Sequence, residues 1–449
     1  MEYLPHTQED IKKMMATVGI DSWDELFAEI PTELRLHRSL ELPQALDETA
    51  LVEYFQKLAA DCTNFTGGSF LGAGAYRHFI PSVVESIISR SEYLTAYTPY
   101  QAEASQGTLQ TIFEFQTMIC RLTGLDVANA SVYDGGTAAV DGVLMACAQT
   151  RKNKVLVSRG VNPQIRQILK TYLAGSPIVI EEIPLNDKGQ TDLQEVTKDV
   201  GGVLIQNPNF LGVIEDGAEL CSKAHAGGAA AIVTVGDPVS LALLQAPGRY
   251  GADICCGDAQ GLGNNLAYGG PYVGFLACTN KYLRRIPGRL VGMTDDKDGK
   301  RGYCLTLQAR EQHIRREKAS SNICSNQALC ALATTIYLSL LGPQGLYSVA
   351  KSSLQNTQYL LRGLRELKKV EIVYTSPVFN EFVIKLPASK AKELQSYLAE
   401  QGIQGGYLLE KDYPELADCM LLCCTEMCRA REIDNLLVNV KNFLEGLSD

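Results

Sequence analysis

Apolar and polar positions along the chain fall into three regions. Up to residue 64 the pattern is helical and well capped. In "TQEDIKKMMATVGI" Thr7 stands three residues before Asp10, a capping-box start, and "DSWDELFAEIP" repeats the device with Asp21 or Ser22 as cap and Pro31 as stop. From residue 65 a glycine-rich aromatic loop (64–81) precedes two helices, 82–90 and 108–124. The second of these places Leu109, Ile112, Phe113, Gln116 and Ile119 along one side and ends at Gly124. Short apolar runs then alternate with helical stretches: "KVLVS", "SPIVIEEI", "GGVLIQNP", "AAAIVTV", "ADICC" and "YVGFLAC". Continuous apolar strands of this length predict a mainly parallel sheet covered on both faces.

A polar loop is expected at 294–302, then a charged segment (307–322) and a buried apolar helix at 328–342. The remainder alternates helix and strand in mixed order, with strands expected at "EIVYT", "EFVIKLP" and "MLLCC". The predicted organisation is therefore a helical extension (1–64), a large α/β domain (65–342) and a small C-terminal α+β domain (343–449).

With 449 residues, 46% of them hydrophobic, the chain can bury a large core. A formal charge of −10 argues against nucleic acid or an anionic membrane as partner. The N-terminus has the wrong pattern for a signal peptide, and 14 cysteines are expected as reduced, buried thiols in a cytoplasmic protein. The closest approach to a metal pattern, Cys419, Cys423, Cys424 and Cys428, reads as an apolar element with buried thiols. The five histidines form no metal-binding pair, so no metal is expected.

Three features suggest chemistry. Gly135, Gly136 and Thr137 open a helix, where free N–H groups and the helix dipole suit a phosphate; an ordinary helix start fits the fragment equally well. Asp237 ends a strand, where a carboxylate can meet a ring nitrogen or serve a turn before Pro238. The run 251–279 reads as strand, glycine-rich loop and strand. This order is used by pyridoxal-phosphate enzymes of the aminotransferase-like fold, which also need a cofactor lysine. No lysine occurs between Lys223 and Lys281.

Long segments carry a specific resemblance: "LTAYTPYQAEASQGTLQTIFEFQTMI", "VYDGGTAAVDGVLMA", "GDAQGLGNNLAYGGPYVGFLA" and "GRLVGMTDDKDGKRGYCLTLQAREQHIRREKASSNICSNQALCAL". Together they resemble the N-terminal half of the P-protein of the glycine cleavage system, which many bacteria make as a separate first subunit. The resemblance implies a fold type I pyridoxal-phosphate transferase fold. It implies that glycine is decarboxylated and its aminomethyl group passed to the lipoyl arm of H-protein, in an α2β2 assembly with a second, beta subunit. Setting Pro271 against the proline that follows the family's cofactor lysine puts Gln260 at the lysine position. A glutamine amide cannot bond covalently to the cofactor, so pyridoxal phosphate is expected on the partner subunit, and Gly135, Gly136 and Thr137 as a cradle without its ligand. This chain is expected to line the shared site with Tyr97, Thr98, Pro99, Tyr100, Gln101, Glu103, Gln106 and Gly107. The basic run Arg310, His313, Arg315, Arg316 and Lys318 is either a solvated face or an entrance for glycine or H-protein. Two rival readings stay open here: a self-sufficient pyridoxal enzyme using Lys281 or Lys318, and a noncatalytic scaffold that docks H-protein.

Overall fold

The structure, a computed structural model, describes residues 4–62, 65–319, 321–387 and 390–446. The chain divides into two units, Met1–Thr63 and Asn64–Asp449; the predicted boundary at residue 64 lies outside the described residues. In the first unit α1 (Gln8–Val18) opens with the reciprocal cap its sequence predicts. The Thr7 hydroxyl accepts from the Asp10 N–H, and Asp10 Oδ2 accepts from the Thr7 N–H at 2.9 Å. Trp23–Phe27 forms a 3₁₀ turn after Ser22, and α2 (Glu48–Ala60) is capped by Asp47.

The second unit begins with α3 (Ser82–Ile88) and α4 (Gln106–Thr123), which ends at Gly124 in the left-handed conformation, φ +69°. The buried face of α4 holds Leu109, Ile112, Phe115, Gln116 and Ile119. Phe113, expected on that face, turns aside to meet the Tyr303 ring at 5.4 Å. There follow β1 (Val127–Ala128), α5 (Gly135–Thr150), β2 (Lys154–Ser158), α6 (Pro163–Leu173), β3 (Val179–Ile183), β4 (Val200–Gln206), α7 (Gly217–Ala226), β5 (Ala230–Val235), β6 (Ile254–Asp258) and β7 (Gly274–Cys278). They form one sheet in the order β1-β7-β6-β5-β4-β2-β3, parallel except for β7. Every residue of β4, β5 and β7 is buried. Neighbouring residues enter different cores: Ile205 packs with Phe115 and Phe275, Leu204 with Val140 and Ile232.

The polar loop predicted at 294–302 is the turn of a hairpin, with its ends running into β8 (Leu290–Asp295) and β9 (Arg301–Thr306). In the turn the Asp296 carboxylate accepts from the Asp298 and Lys300 N–H groups at 2.8 Å each. The long helix α8 (Ala328–Arg365) breaks at Gly342, whose φ of +58° and ψ of −176° reset the chain before Pro343. Beyond it β10 (Glu371–Ile372), β11 (Glu381–Lys385), β12 (Tyr407–Leu408) and β13 (Cys419–Cys423) build an antiparallel sheet in the order β10-β11-β13-β12. It is packed by α9 (Lys390–Glu400) and α10 (Ala430–Glu445) through Leu394, Leu398, Ile433 and Leu436. Cys419, Cys423, Cys424 and Cys428 are buried free thiols. No group of three metal-binding side chains occurs among the described residues.

Candidate functional site

The carboxyl ends of the parallel strands are where an open α/β sheet receives its ligand. Asp237 follows β5 there, and Asp258 and Gln260 follow from β6. Across these ends lies the glycine-rich aromatic loop. It is tied to the small sheet by Phe70, whose carbonyl accepts from the Cys423 N–H at 2.9 Å and whose ring sits in the small-domain core. Thus anchored, the loop delivers Tyr76 and His78 onto the strand ends.

The polar side chains at the strand ends are already engaged with one another. Asp237 Oδ2 accepts from His78 Nε2 at 3.1 Å and from Asn380 Nδ2 at 2.7 Å. The other His78 nitrogen donates to Glu426 at 2.7 Å. Burial alone would lower the His78 pKa, but the charge and hydrogen bond of Asp237, then those of Glu426, lift it to about 10. The ring nitrogen that Asp237 meets is therefore that of an imidazolium belonging to this chain.

Gln260 is saturated in the same way. Its Oε1 accepts from the Tyr76 N–H at 2.9 Å, and its Nε2 donates to the carbonyls of Tyr76 and Asn264 at 3.0 and 2.8 Å. Tyr76 in turn donates its hydroxyl to Glu381 at 2.8 Å. Burial raises the Glu381 carboxyl to about 7, against the opposing hydrogen bonds from Ala73 and Tyr76.

At the start of α5 the Gly135 N–H donates to Asp258 Oδ2 at 3.0 Å, and the Thr137 N–H to Asp134 Oδ1 at 2.8 Å. Gly135 lies so close to β6 that a Cβ there would meet the Asp258 nitrogen at 2.9 Å. A phosphate at this helix start would face two carboxylates that already take the Gly135 and Thr137 N–H groups. Like charges about 4 Å apart cost about 4 kcal/mol at an effective dielectric of 20. The pocket does not fit pyridoxal phosphate.

Of the alternative lysines, Lys281 is remote from it. The end of β7 pairs with the beginning of β6, Cys278 opposite Ile254, so Lys281 lies beyond the amino ends of the parallel strands. There its ammonium stands 5.2 Å from the Tyr282 ring centroid. Lys318 is exposed in a short turn.

A second polar region forms where 97–107 meets 288–326. Tyr97 and Tyr100 are 75% and 61% exposed, presenting their rings outward, while Pro99 is buried. Gln101, Glu103 and Gly107 are also exposed. Gln106 is committed to structure: its amide nitrogen donates to the Ala102 and Tyr303 carbonyls, and its oxygen accepts from the Tyr303 N–H. The Arg289 guanidinium lies 5.7 Å from the Tyr100 ring centroid, and the His313 ring makes an edge contact at 6.3 Å. The tyrosine segment and the basic segment thus share one corner. Arg310 is held inward on the Gly288 and Leu307 carbonyls, while Arg315, Arg316 and Lys318 are exposed. Among the described residues seven buried side-chain polar atoms lack a partner; four of them, on Thr98, Arg289, Arg310 and Glu311, belong to these two segments. Buried polar groups left unmet in this concentration are unusual in a folded chain.

A cavity of about 970 Å³ opens between α4 and the hairpin, lined by Cys120, Arg121, Arg249 and Leu307, and contains none of these groups. Sequence reading missed His78, Glu426 and Arg289. Each acts through a partner more than 100 residues away, which leaves no local signal.

The family described as "Glycine cleavage system P-protein" matches residues 1–440. The "Probable glycine dehydrogenase (decarboxylating) subunit 1" of Moorella thermoacetica is 51% identical over 99% of this chain and 100% of its own length. Its counterpart in Brevibacillus brevis is 49% identical over 98% of each chain. Among solved structures, an inhibitor-bound glycine decarboxylase (P-protein) of the glycine cleavage system superposes with a TM-score of 0.89 at 43% identity, covering 98% of this chain and 100% of that one. Glutamate decarboxylase from Lactobacillus brevis shares the fold alone, with a TM-score of 0.65 at 13% identity over 93% of this chain and 97% of that one.

Proposed function

The chain belongs to the glycine cleavage system P-protein family, within its decarboxylating glycine dehydrogenase subunit 1 members, and on that premise we propose that it is the half of a shared active site that carries no cofactor. In this reading a second, beta subunit holds pyridoxal phosphate through its own lysine. This chain supplies the facing wall. Glycine is decarboxylated between them, and the aminomethyl group passes to the lipoyl arm of H-protein. The assembly is α2β2 and cytoplasmic.

The observation that carries the reading is the saturation of the chain's own pocket. Gln260 has both amide hydrogens and its oxygen bonded to Tyr76 and Asn264, Asp237 is bound to His78, and Asp258 stands at the helix start. The wall is assigned to Tyr97, Thr98, Pro99, Tyr100 and Gln101, because two exposed phenols are free to meet a ligand there and the segment that carries them also holds the buried, unpartnered Thr98 hydroxyl. Arg315, Arg316 and Lys318 are proposed as the entrance that draws in anionic glycine or acidic H-protein.

Replacing Tyr97 and Tyr100 together by Phe tests the wall. With subunit 2 and H-protein present, the double variant is expected to assemble normally and to lose about tenfold in turnover, the worth of roughly one lost hydrogen bond in the transition state. Unchanged turnover would remove the wall assignment. Loss of assembly with decarboxylation intact per assembled complex would favour the scaffold reading.

A further inference from the structure

We propose that Arg289 is a positioning residue, holding the Tyr100 ring in the one orientation that the shared wall needs. The inference rests on the reading that Tyr97 and Tyr100 belong to that wall.

Arg289 is 3% exposed, yet every hydrogen-bond acceptor it has among the described residues is neutral. Its Nη1 donates to Ser325 Oγ at 3.0 Å and Asn326 Oδ1 at 3.3 Å, and its Nη2 to the Cys324 carbonyl at 3.3 Å. Its Nε has no partner; the nearest carboxylate oxygen, Glu311 Oε2, is 3.9 Å away. The one carboxylate that faces this buried cation, Glu311, stands at ion-pair distance without a hydrogen bond and offsets its lost hydration only in part. The negative face of an aromatic ring adds to this, and the ring available is that of Tyr100.

The same contact settles the tyrosine. No hydrogen bond of the Tyr100 hydroxyl is found among the described residues, and most of the side chain is exposed, so its χ angles would otherwise be free. A guanidinium fixed by three bonds to the 324–326 loop gives the ring a rigid seat. His313 closes on the ring, and Glu311 stands 3.8 Å from His313 and 3.9 Å from Arg289, between the two groups that touch it. The hydroxyl is thereby aimed outward from a ring held by a buried cation.

The test uses the assembled complex with subunit 2 and H-protein. Arg289→Met and Tyr100→Leu are compared singly and together, and 3-fluorotyrosine placed at position 100 is followed by fluorine NMR. Arg289→Met is expected to lower kcat/KM about fivefold, the factor a partly exposed cation–π contact is worth, to shift the fluorine resonance, and to cause no further loss in the Tyr100→Leu background. An equal fold-loss in both backgrounds would overturn the proposal, because Arg289 would then act through the 324–326 loop alone. An unmoved resonance would overturn it as well. If the resonance moves while neither single variant changes kcat/KM, the contact exists but the wall reading fails, and the positioning role fails with it. Should Arg289→Met not assemble, Arg289→Lys, which keeps the charge without the planar fork, is read by the same cycle and the same resonance.

Discussion

Replacing His78 by Gln removes the one cation shared by two buried carboxylates. His78 and Asp237 side chains are 1% and 3% exposed and Glu426 is 13% exposed, so solvent screens the group little. Burial opposes the charge, but Asp237 and Glu426 raise the folded-state pKa from 6.5 to about 10. The sign follows from a raised pKa: the stabilisation is complete below pH 6.5 and is lost as pH rises through about 10. Between those values the folded chain holds one more proton than the unfolded chain, so stability falls by about 1.4 kcal/mol per pH unit from this group. At pH 6 the substitution is expected to cost about 3 to 5 kcal/mol, the range for a broken buried ion pair. Urea denaturation of the isolated chain at pH 7 and pH 9 provides the assay. The parent chain should lose about 2 to 3 kcal/mol more than His78→Gln over that interval, the comparison cancelling other groups that titrate there. Parallel pH dependence in the two proteins, or a cost below about 1 kcal/mol at pH 6, would refute the imidazolium bridge.

Gln260→Ala leaves the Tyr76 N–H and carbonyl buried without partners and should destabilise the chain by about 2 to 5 kcal/mol in the same assay; a change under 1 kcal/mol would mean the amide is idle. Gly135→Ala forces a methyl against the Asp258 and Gly257 backbone, at 2.9 and 3.1 Å, and is expected to cost about 1 to 3 kcal/mol, whereas a neutral result would show that the helix start has room. Reversing Arg315, Arg316 and Lys318 to Glu should slow association with H-protein about tenfold at low ionic strength. The difference should disappear at high salt, and an equal rate at low salt would return these residues to a merely solvated face.

Much of the seven-stranded sheet was legible because its strands are short apolar runs punctuated by helices, a consequence of burying both of its faces. The hairpin was not. Asp296, Gly299 and their polar neighbours dominate the local signal, while "LVGMTD" and "RGYCLT" carry mixed residues suited to half-buried strands. Phe113 was assigned to the core face of α4 by its spacing, but the helix presents Phe115 there and uses Phe113 to hold the hairpin, a choice set by an element nearly 200 residues on. Asp237 and Gln260 could be singled out from strand ends and a missing lysine. What they do could not, since their partners arrive from residues 76–78 and 380 through the folded loop and the small domain. The tyrosine and basic segments were read as separate features; Arg289 between them belongs to neither motif.

Mapping where the cofactor becomes attached bears most directly on the half-site reading. The chain would be incubated with pyridoxal phosphate, alone and together with subunit 2, reduced with borohydride and digested for peptide mass spectrometry. Label confined to a lysine of subunit 2 is the result the half-site reading predicts, in keeping with the engaged Gln260 amide and a pocket occupied by His78 and Asp258. A stoichiometric label on a lysine of this chain would make it a pyridoxal enzyme in its own right and contradict that reading.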